Sequence, residues 1–503
     1  MREPAAGTPG PHPGDTRDAL LADVAGRARR YLAGIADRPV FPAAADIAAL
    51  EAMDFPLPDA GLGAAEVIDL LDRVGSPAAV ASAGPRYFGF VTGGALPAAV
   101  AAAWMSAAWD QNAAMAVMSP VAARLDAVAI GWVRDLLGLP AGTAGAFVSG
   151  ATMANVTCLA AARDAVLTRA GWDAAEQGLV GAPPVQVVLG EEAHSAVVKA
   201  LGIVGLGRGR AHRLGVDGQG RIVADRDELP DLDGPAIVCL QAGNVNSGAS
   251  DPFHPLIEWA RSQGAWVHVD GAFGLWAAAC PELADQVAGM EGADSWATDA
   301  HKWLNTTYDC GVALVREEAA LRAAMGSSAA YLPPGPERDA MQYGPQASQR
   351  ARGIEVWAAL ASLGRTGLAE LVAGDVRLAR RFAARLAAAG AGAEILNEVV
   401  LNQVVVAFDP GDGPDSGDGP DSGDQPGSGD GPGRPDADAL TEAVIASVQA
   451  EGTCWCGPTV WRGRRAMRIS VSNWATTESD VDRSADAVIG VARARLSRRD
   501  RAI

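Results

Sequence analysis

Five short apolar runs punctuate the middle of this chain: VQVVL at 185–189, AIVCL at 236–240, AWVHVD at 265–270, SWATD at 295–299 and GVALV at 311–315. Stretches with helical spacing alternate with them. Such alternation predicts an α/β fold with a mostly parallel sheet wrapped by helices. It also dictates where chemistry belongs, because ligands of these sheets sit beyond the carboxyl ends of the strands. The polar residue that closes each run is therefore the most informative. A chain of 503 residues exceeds one compact core and divides into two or three domains.

The flanks are simpler. Residues 1–14 are rich in Pro, Gly and Ala and read as a disordered tail. From Asp15 to about Asp37, Leu20, Leu21, Val24, Ala25 and Ala28 recur at helical spacing and predict a helix. Near the other end, the strand-like Val404–Phe408 runs into a tract at 409–438 that repeats GPDSGD and holds nine Asp against one Arg. It offers almost nothing to bury and is expected to be disordered. A helical stretch and the strand-like RAMRISVS follow it, so the tract interrupts a domain rather than joining two. Such an insertion is cheap, since loop-closure entropy grows only logarithmically with length.

Charge narrows the function. The formal net charge is −19, of which about −8 lies in that tract (nine Asp less one Arg), and no basic face is left for phosphate backbones. Nucleic acid and anionic membranes are excluded as partners, and small molecules are expected. No apolar stretch reaches the ~20 residues that span a bilayer. Six scattered cysteines and the lack of a secretory pattern at the start predict a cytoplasmic, reducing setting. The pair in CWC, Cys454 and Cys456, has no second pair to complete a metal site. GLGRGR at 205–210 lacks the flanking strand and helix of a dinucleotide loop.

Lysine is nearly absent: of 41 basic side chains only Lys199 and Lys302 are lysine. A surface charge or ion pair can use arginine. A nucleophilic amine cannot, because guanidinium does not deprotonate in proteins. Lys302 follows SWATD, where a sheet presents its ligands, and is the candidate for imine chemistry; Lys199 lies in a helical stretch. Asp270 closes AWVHVD and is followed by Gly-Ala, which puts a carboxylate at the sheet edge where a ligand can approach. His268 lies on the same side of that strand, yet no third ligand supports a metal. FVSGATMANVTCLAAARDA, from Phe147 to Ala165, passes from a strand stub into a long helix whose first amides and Thr152 suit an anion. His194 opens the apolar run of AHSAVVKA.

An amine for an imine, an acid for a pyridinium nitrogen, a histidine to cover a ring and a helix start for a phosphate are what pyridoxal phosphate asks of a protein. The motifs HVDGAFG, TDAHKWLNTTYDCG, AHSAVVKA and SGATMANVTCLAAAR resemble those of the group II pyridoxal-dependent amino acid decarboxylases, of fold type I. The resemblance runs from Arg86 in GPRYFGF, through SPVAARLDAVAIGWVRDLLGLP and ASQRARGIEVWAALASLG, to MRISVSNWATTESDVDRS. It implies an N-terminal helical segment (15–95), a large cofactor domain with a mostly parallel seven-stranded sheet (96–365), and a small α+β domain (366–503) interrupted by the 409–438 tract.

The same resemblance implies that Lys302 forms the Schiff base, that Asp270 pairs with the pyridinium nitrogen, and that Ala272 and His194 cover the two faces of the ring. Ala151, Thr152, Asp299 and His301 would hold the phosphate. In this family a loop after the lysine carries a Tyr that protonates the carbon once CO2 has left, and Tyr331 in GSSAAYLPPG lies at the matching distance. That loop serves the partner's active site, which implies a homodimer. Two positions depart from the family: Asn244-Val245 replaces a Thr pair, and Met153 replaces an acid. The expected reaction is decarboxylation of an L-amino acid to its amine. An aminotransferase or carbon–carbon lyase on the same scaffold is the alternative, with Arg468 available for a carboxylate. Substrate choice is left open, with Trp109, Gln111 and Asn112 as candidate pocket residues.

Overall fold

The computed structural model describes residues 16–327, 337–410 and 435–500. The N-terminal tail, most of the 409–438 tract and the stretch that holds Tyr331 lie outside the described residues. The helices that matter here are α1 (Arg17–Ala33), α2 (Pro97–Trp109), α3 (Pro120–Leu136), α4 (Ala151–Arg169), α5 (Ser195–Ile203), α6 (Phe253–Ser262), α7 (Arg352–Ala388), α8 (Pro435–Glu451) and α9 (Glu478–Asp500). Thr16 caps α1 by accepting the Ala19 amide at 3.3 Å. Helices α2 and α3 both open on proline, whose fixed φ suits a first helical turn.

Strands β1 (Ala144–Val148), β2 (Gln186–Gly190), β3 (His212–Leu214), β4 (Ala236–Gln241), β5 (Trp266–Asp270), β6 (Ser295–Asp299) and β7 (Gly311–Val315) form one sheet in the order β1-β7-β6-β5-β4-β2-β3. Only β7 runs against its neighbours, β1 and β6; the other pairs are parallel. This is the expected mostly parallel seven-stranded sheet, and all five apolar runs are in it. Burial on both faces explains their unbroken hydrophobicity. Val267 and Val269 of β5 pack into the core shared with α6 and α7, whereas Trp266 packs into the core shared with α4 and α5. By the two-residue period of a strand, His268 and Asp270 share the face of Trp266 and point towards α4.

A second, antiparallel sheet, ordered β10-β11-β9-β8, joins β8 (Ala393–Ile395), β9 (Gln403–Phe408), β10 (Gly457–Trp461) and β11 (Arg464–Ser470). Phe382 of α7, Val444 of α8 and Val488 of α9 are fully buried in the core on this sheet. Helix α7 links the two sheets, and Gly364 inside it leaves helical geometry at φ 62°, so the helix kinks there. One boundary needs correcting. Residues 435–438, assigned by composition to the disordered tract, form the first turn of α8. Proline at a helix start and acids in the first turn favour that end of a helix, and Asp438 Oδ1 also accepts the Arg465 amide at 2.8 Å.

Candidate active site

The carboxyl ends of β5 and β6 converge with the start of α4. Asp270 ends β5 and is almost fully buried, and its Oδ1 has no hydrogen-bond partner. Burial pushes its carboxyl pKa up, while His194 and Lys302 nearby act to lower it. An unpartnered oxygen at a strand end is costly to keep and marks a place for a donor that is not part of the chain. Two residues on, half-buried Ala272 accepts the Asp299 amide at 2.9 Å, which ties the exits of β5 and β6 together.

Asp299 organises the other side. Its Oδ1 accepts the Ala151 amide at the start of α4, at 2.6 Å, and its Oδ2 lies 3.1 Å from Lys302 Nζ. The α4 dipole favours an acceptor there. A carboxylate can only accept, so Asp299 itself offers no donor to an anion. His301 Nε2 is 3.7 Å from the same carboxylate, and its Nδ1 accepts the Cys310 amide at 3.0 Å. Burial, the largest cause, lowers the His301 pKa, so the ring is neutral with its proton on Nε2. Tyr308 stacks on that ring with centroids 4.2 Å apart. Thr152 follows Ala151 in the first turn of α4, where backbone amides have no intrahelical acceptor.

Lys302 sits in the turn after β6, with 19% of its side chain exposed. Its carbonyl is braced from the N-terminal segment: a Cβ built on Gly93 would lie 2.0 Å from Lys302 O, so only glycine fits. His194 caps α5, its Nδ1 accepting the Ala196 amide at 3.2 Å, and burial lowers its pKa. It lines a small cavity with Asp270, Gln241 and Asp251. Arg468 of β11 is half-buried, donates to Val245 O at 3.3 Å, and acts to lower the His194 pKa, which places its charge beside that ring. Lys199, the rival lysine, is exposed on α5.

Sequence reasoning brought together Lys302, Asp270, His194, Ala151, Asp299 and His301, and the fold gathers them at one sheet end. It gave no role to Asn155, Ser295 or Tyr308. Asn155 Oδ1 is 2.8 Å from His268 Nε2, and Ser295 Oγ is 3.0 Å from His268 Nδ1. The available signal was spacing, since Asn155 lies one helical turn beyond Ala151 and His268 two residues before Asp270. Asn244 Oδ1 caps a turn by accepting from Asn246 N at 2.8 Å and Ser247 N at 3.2 Å, and its Nδ2 is buried without a hydrogen-bond partner. Met153 packs against the apolar core beside α4. Asn112 accepts from Ala114 N in its own loop and from Gln349 N, 237 positions away, each at 3.1 Å.

A family model described as the pyridoxal-dependent decarboxylase conserved domain matches residues 54–409. Tryptophan decarboxylase 1 of Oryza sativa subsp. japonica is 29% identical over 324 residues, which is 60% of this chain and 62% of that protein. Phenylacetaldehyde synthase of Arabidopsis thaliana is 30% identical over 285 residues, 53% of this chain and 57% of that protein. The chain thus spans about three-fifths of the length of these relatives. In fold, a crystal structure of Oryza sativa TDC with PLP and tryptamine superposes with a TM-score of 0.83 at 22% identity, covering 97% of this chain and 99% of the other.

Proposed function

The chain belongs to the pyridoxal-dependent decarboxylase family, and from that premise we propose that it removes CO2 from an L-amino acid and releases the amine. Pyridoxal phosphate is the cofactor of this family, and the site fits it. The observation that carries the reading is Asp270 Oδ1, a buried acceptor with no donor of its own, set beside the lysine turn. Lys302 would hold the cofactor covalently through Nζ, with Ala272 and His194 against its ring. The α4 start, with Ala151 and Thr152, would hold the phosphate, supported by Asp299 and His301. When bound, the cofactor supplies an electron sink for the charge left on carbon as CO2 departs.

The chain's own groups do the rest. Asp270 keeps a proton on the ring nitrogen, since a carboxylate in a low-dielectric pocket stabilises a positive partner strongly. Lys302 must lose a proton to act as a nucleophile, and Asp299 Oδ2, 3.1 Å from Nζ, is the carboxylate placed to take it. Neutral His194 and His301 add no charge to the pocket. Arg468, whose charge lies beside His194, is the group that would hold a substrate carboxylate in the aminotransferase alternative. Tyr331 is the proposed proton donor to the carbon that loses CO2. The reading includes a homodimer in the cytoplasm. In support, α1 buries none of its own residues, and Leu21 on it is 60% exposed. Among the described residues no helix is long and apolar enough to cross a membrane.

The test is a product assay across L-amino acids, beginning with tryptophan, tyrosine and DOPA, the substrates in the names of relatives. Amine and CO2 in equal amounts are expected. Keto acid as the main product would assign the chain to the aminotransferases. Tyr331→Phe should keep cofactor binding and turn the output from amine towards aldehyde; unchanged amine output would remove Tyr331 from the mechanism.

A further inference from the structure

Beneath Asp270 the large sheet buries a row of polar side chains that the reaction does not touch. The parallel register of β5 and β6 sets His268 against Ser295, and Asp270 against Ala297. His268 and Asp270 both face α4, where Asn155 sits one turn past Ala151. Trp266 Nε1 is 2.9 Å from Ser295 Oγ, Ser295 Oγ is 3.0 Å from His268 Nδ1, and His268 Nε2 is 2.8 Å from Asn155 Oδ1. His268, Ser295 and Asn155 have no exposed surface. Two buried atoms at the end of this row have no hydrogen-bond partner: Asn155 Nδ2, a donor, and Asp270 Oδ1, an acceptor.

The chemistry of the two ends gives the row a direction. The Trp266 indole can only donate, so Ser295 Oγ accepts from it and its own proton is free for His268 Nδ1. That leaves the His268 proton on Nε2, donated to Asn155 Oδ1. The amide NH2 of Asn155 then faces the carboxylate, and reversing the amide would set its oxygen against another acceptor. Burial holds His268 neutral, its pKa pushed down to about 3, and the Asn155 amide lowers the Asp270 pKa although it falls short of full hydrogen-bond geometry.

We propose that Asn155 is a positioning residue for Asp270, the last donor in a one-way buried chain from Trp266 through Ser295 and His268, which orients the carboxylate towards the ring nitrogen of pyridoxal phosphate. This rests on the reading of Asp270 given above. The chain also accounts for a histidine two residues before the acid without any metal: His268 transmits the orientation.

Two measurements test it. In the apoprotein labelled with 15N-histidine, His268 should appear by NMR as the neutral Nε2–H tautomer from pH 5 to 8. An Nδ1–H tautomer, or titration within that range, would reverse or break the chain and overturn the proposal, with no variant needed. Pyridoxal phosphate affinity, followed by absorbance titration, should weaken at least about tenfold in Asn155→Leu, the scale of one hydrogen bond to a charged group. His268→Leu should weaken it similarly, and the double variant no further than the worse single one, because the links act as a unit. Unchanged affinity in Asn155→Leu, or losses that multiply in the double variant, would sink the proposal. Failure of the wild-type protein to bind the cofactor would instead show that the reading of Asp270 itself is wrong, and the inference with it.

Discussion

Asp251 and Asp270 line the same small cavity beside His194, and both are buried. Asp251 has both oxygens filled by backbone amides, Ile222 N on Oδ1 at 2.8 Å and Gln241 N on Oδ2 at 2.7 Å. Asp270 has an oxygen with none. Burial raises the pKa of each. One acid closes a loop onto β4 and is complete within the chain; the other has the Asn155 amide nearby, short of full hydrogen-bond geometry, and keeps room for an outside donor. A buried carboxyl is therefore read as structural or functional by counting its partners, since burial and pKa direction are the same for both.

The largest effect that bears on this contrast comes from the lysine whose charge acts on the incomplete acid. Lys302→Arg keeps the charge and removes the nucleophile, so turnover should fall roughly a thousandfold or more, and borohydride should no longer fix cofactor to the protein by mass spectrometry. A fixed adduct in that variant would move the chemistry to another residue. Next, Asp270→Asn should weaken cofactor binding roughly 10- to 100-fold, as expected for losing a hydrogen bond between charged groups, while the apoprotein melts within a few degrees of wild type. A large loss of apoprotein stability would make Asp270 a structural acid like Asp251.

Asp251→Asn should show the opposite pattern. It forfeits one of two backbone donors and should lose about 1–3 kcal/mol of stability by urea unfolding, with cofactor affinity little changed. The smallest effect is a slope. The pKa of Asp251 is raised from 3.8 to about 7 in the fold, so folding takes up a proton between these values. Its contribution to stability is full below pH 3.8 and is lost as pH rises to about 7. Asp251→Asn should flatten that part of the stability profile; an identical slope in the variant would assign it to other groups.

The large sheet was legible because its strands are buried on both faces and so carry unbroken β-branched and apolar runs. β3 was not, because it has three residues and exposes His212 and Arg213. Lys302 and Asp270 stood out for local reasons, as a scarce residue type and as an acid closing an apolar run. The contact of Ala151 N with Asp299, 148 positions apart in sequence, has no local signal. For Asn155 and His268, 113 positions apart, the only local signal is their spacing from Ala151 and Asp270. Their meeting depends on where α4 lies across the sheet, which patterning predicts only as a class of fold. The 435–438 boundary was misread because Pro and Asp serve both a polar tract and a helix start.

The glycine at position 93 leaves no room for even a methyl group above the Lys302 carbonyl. The backbone of Lys302 is thus held against a segment that precedes the whole large sheet. Any chimera that exchanges the first hundred residues with those of a relative inherits or loses correct placement of Lys302 at this one spot, before any pocket-lining side chain comes into play.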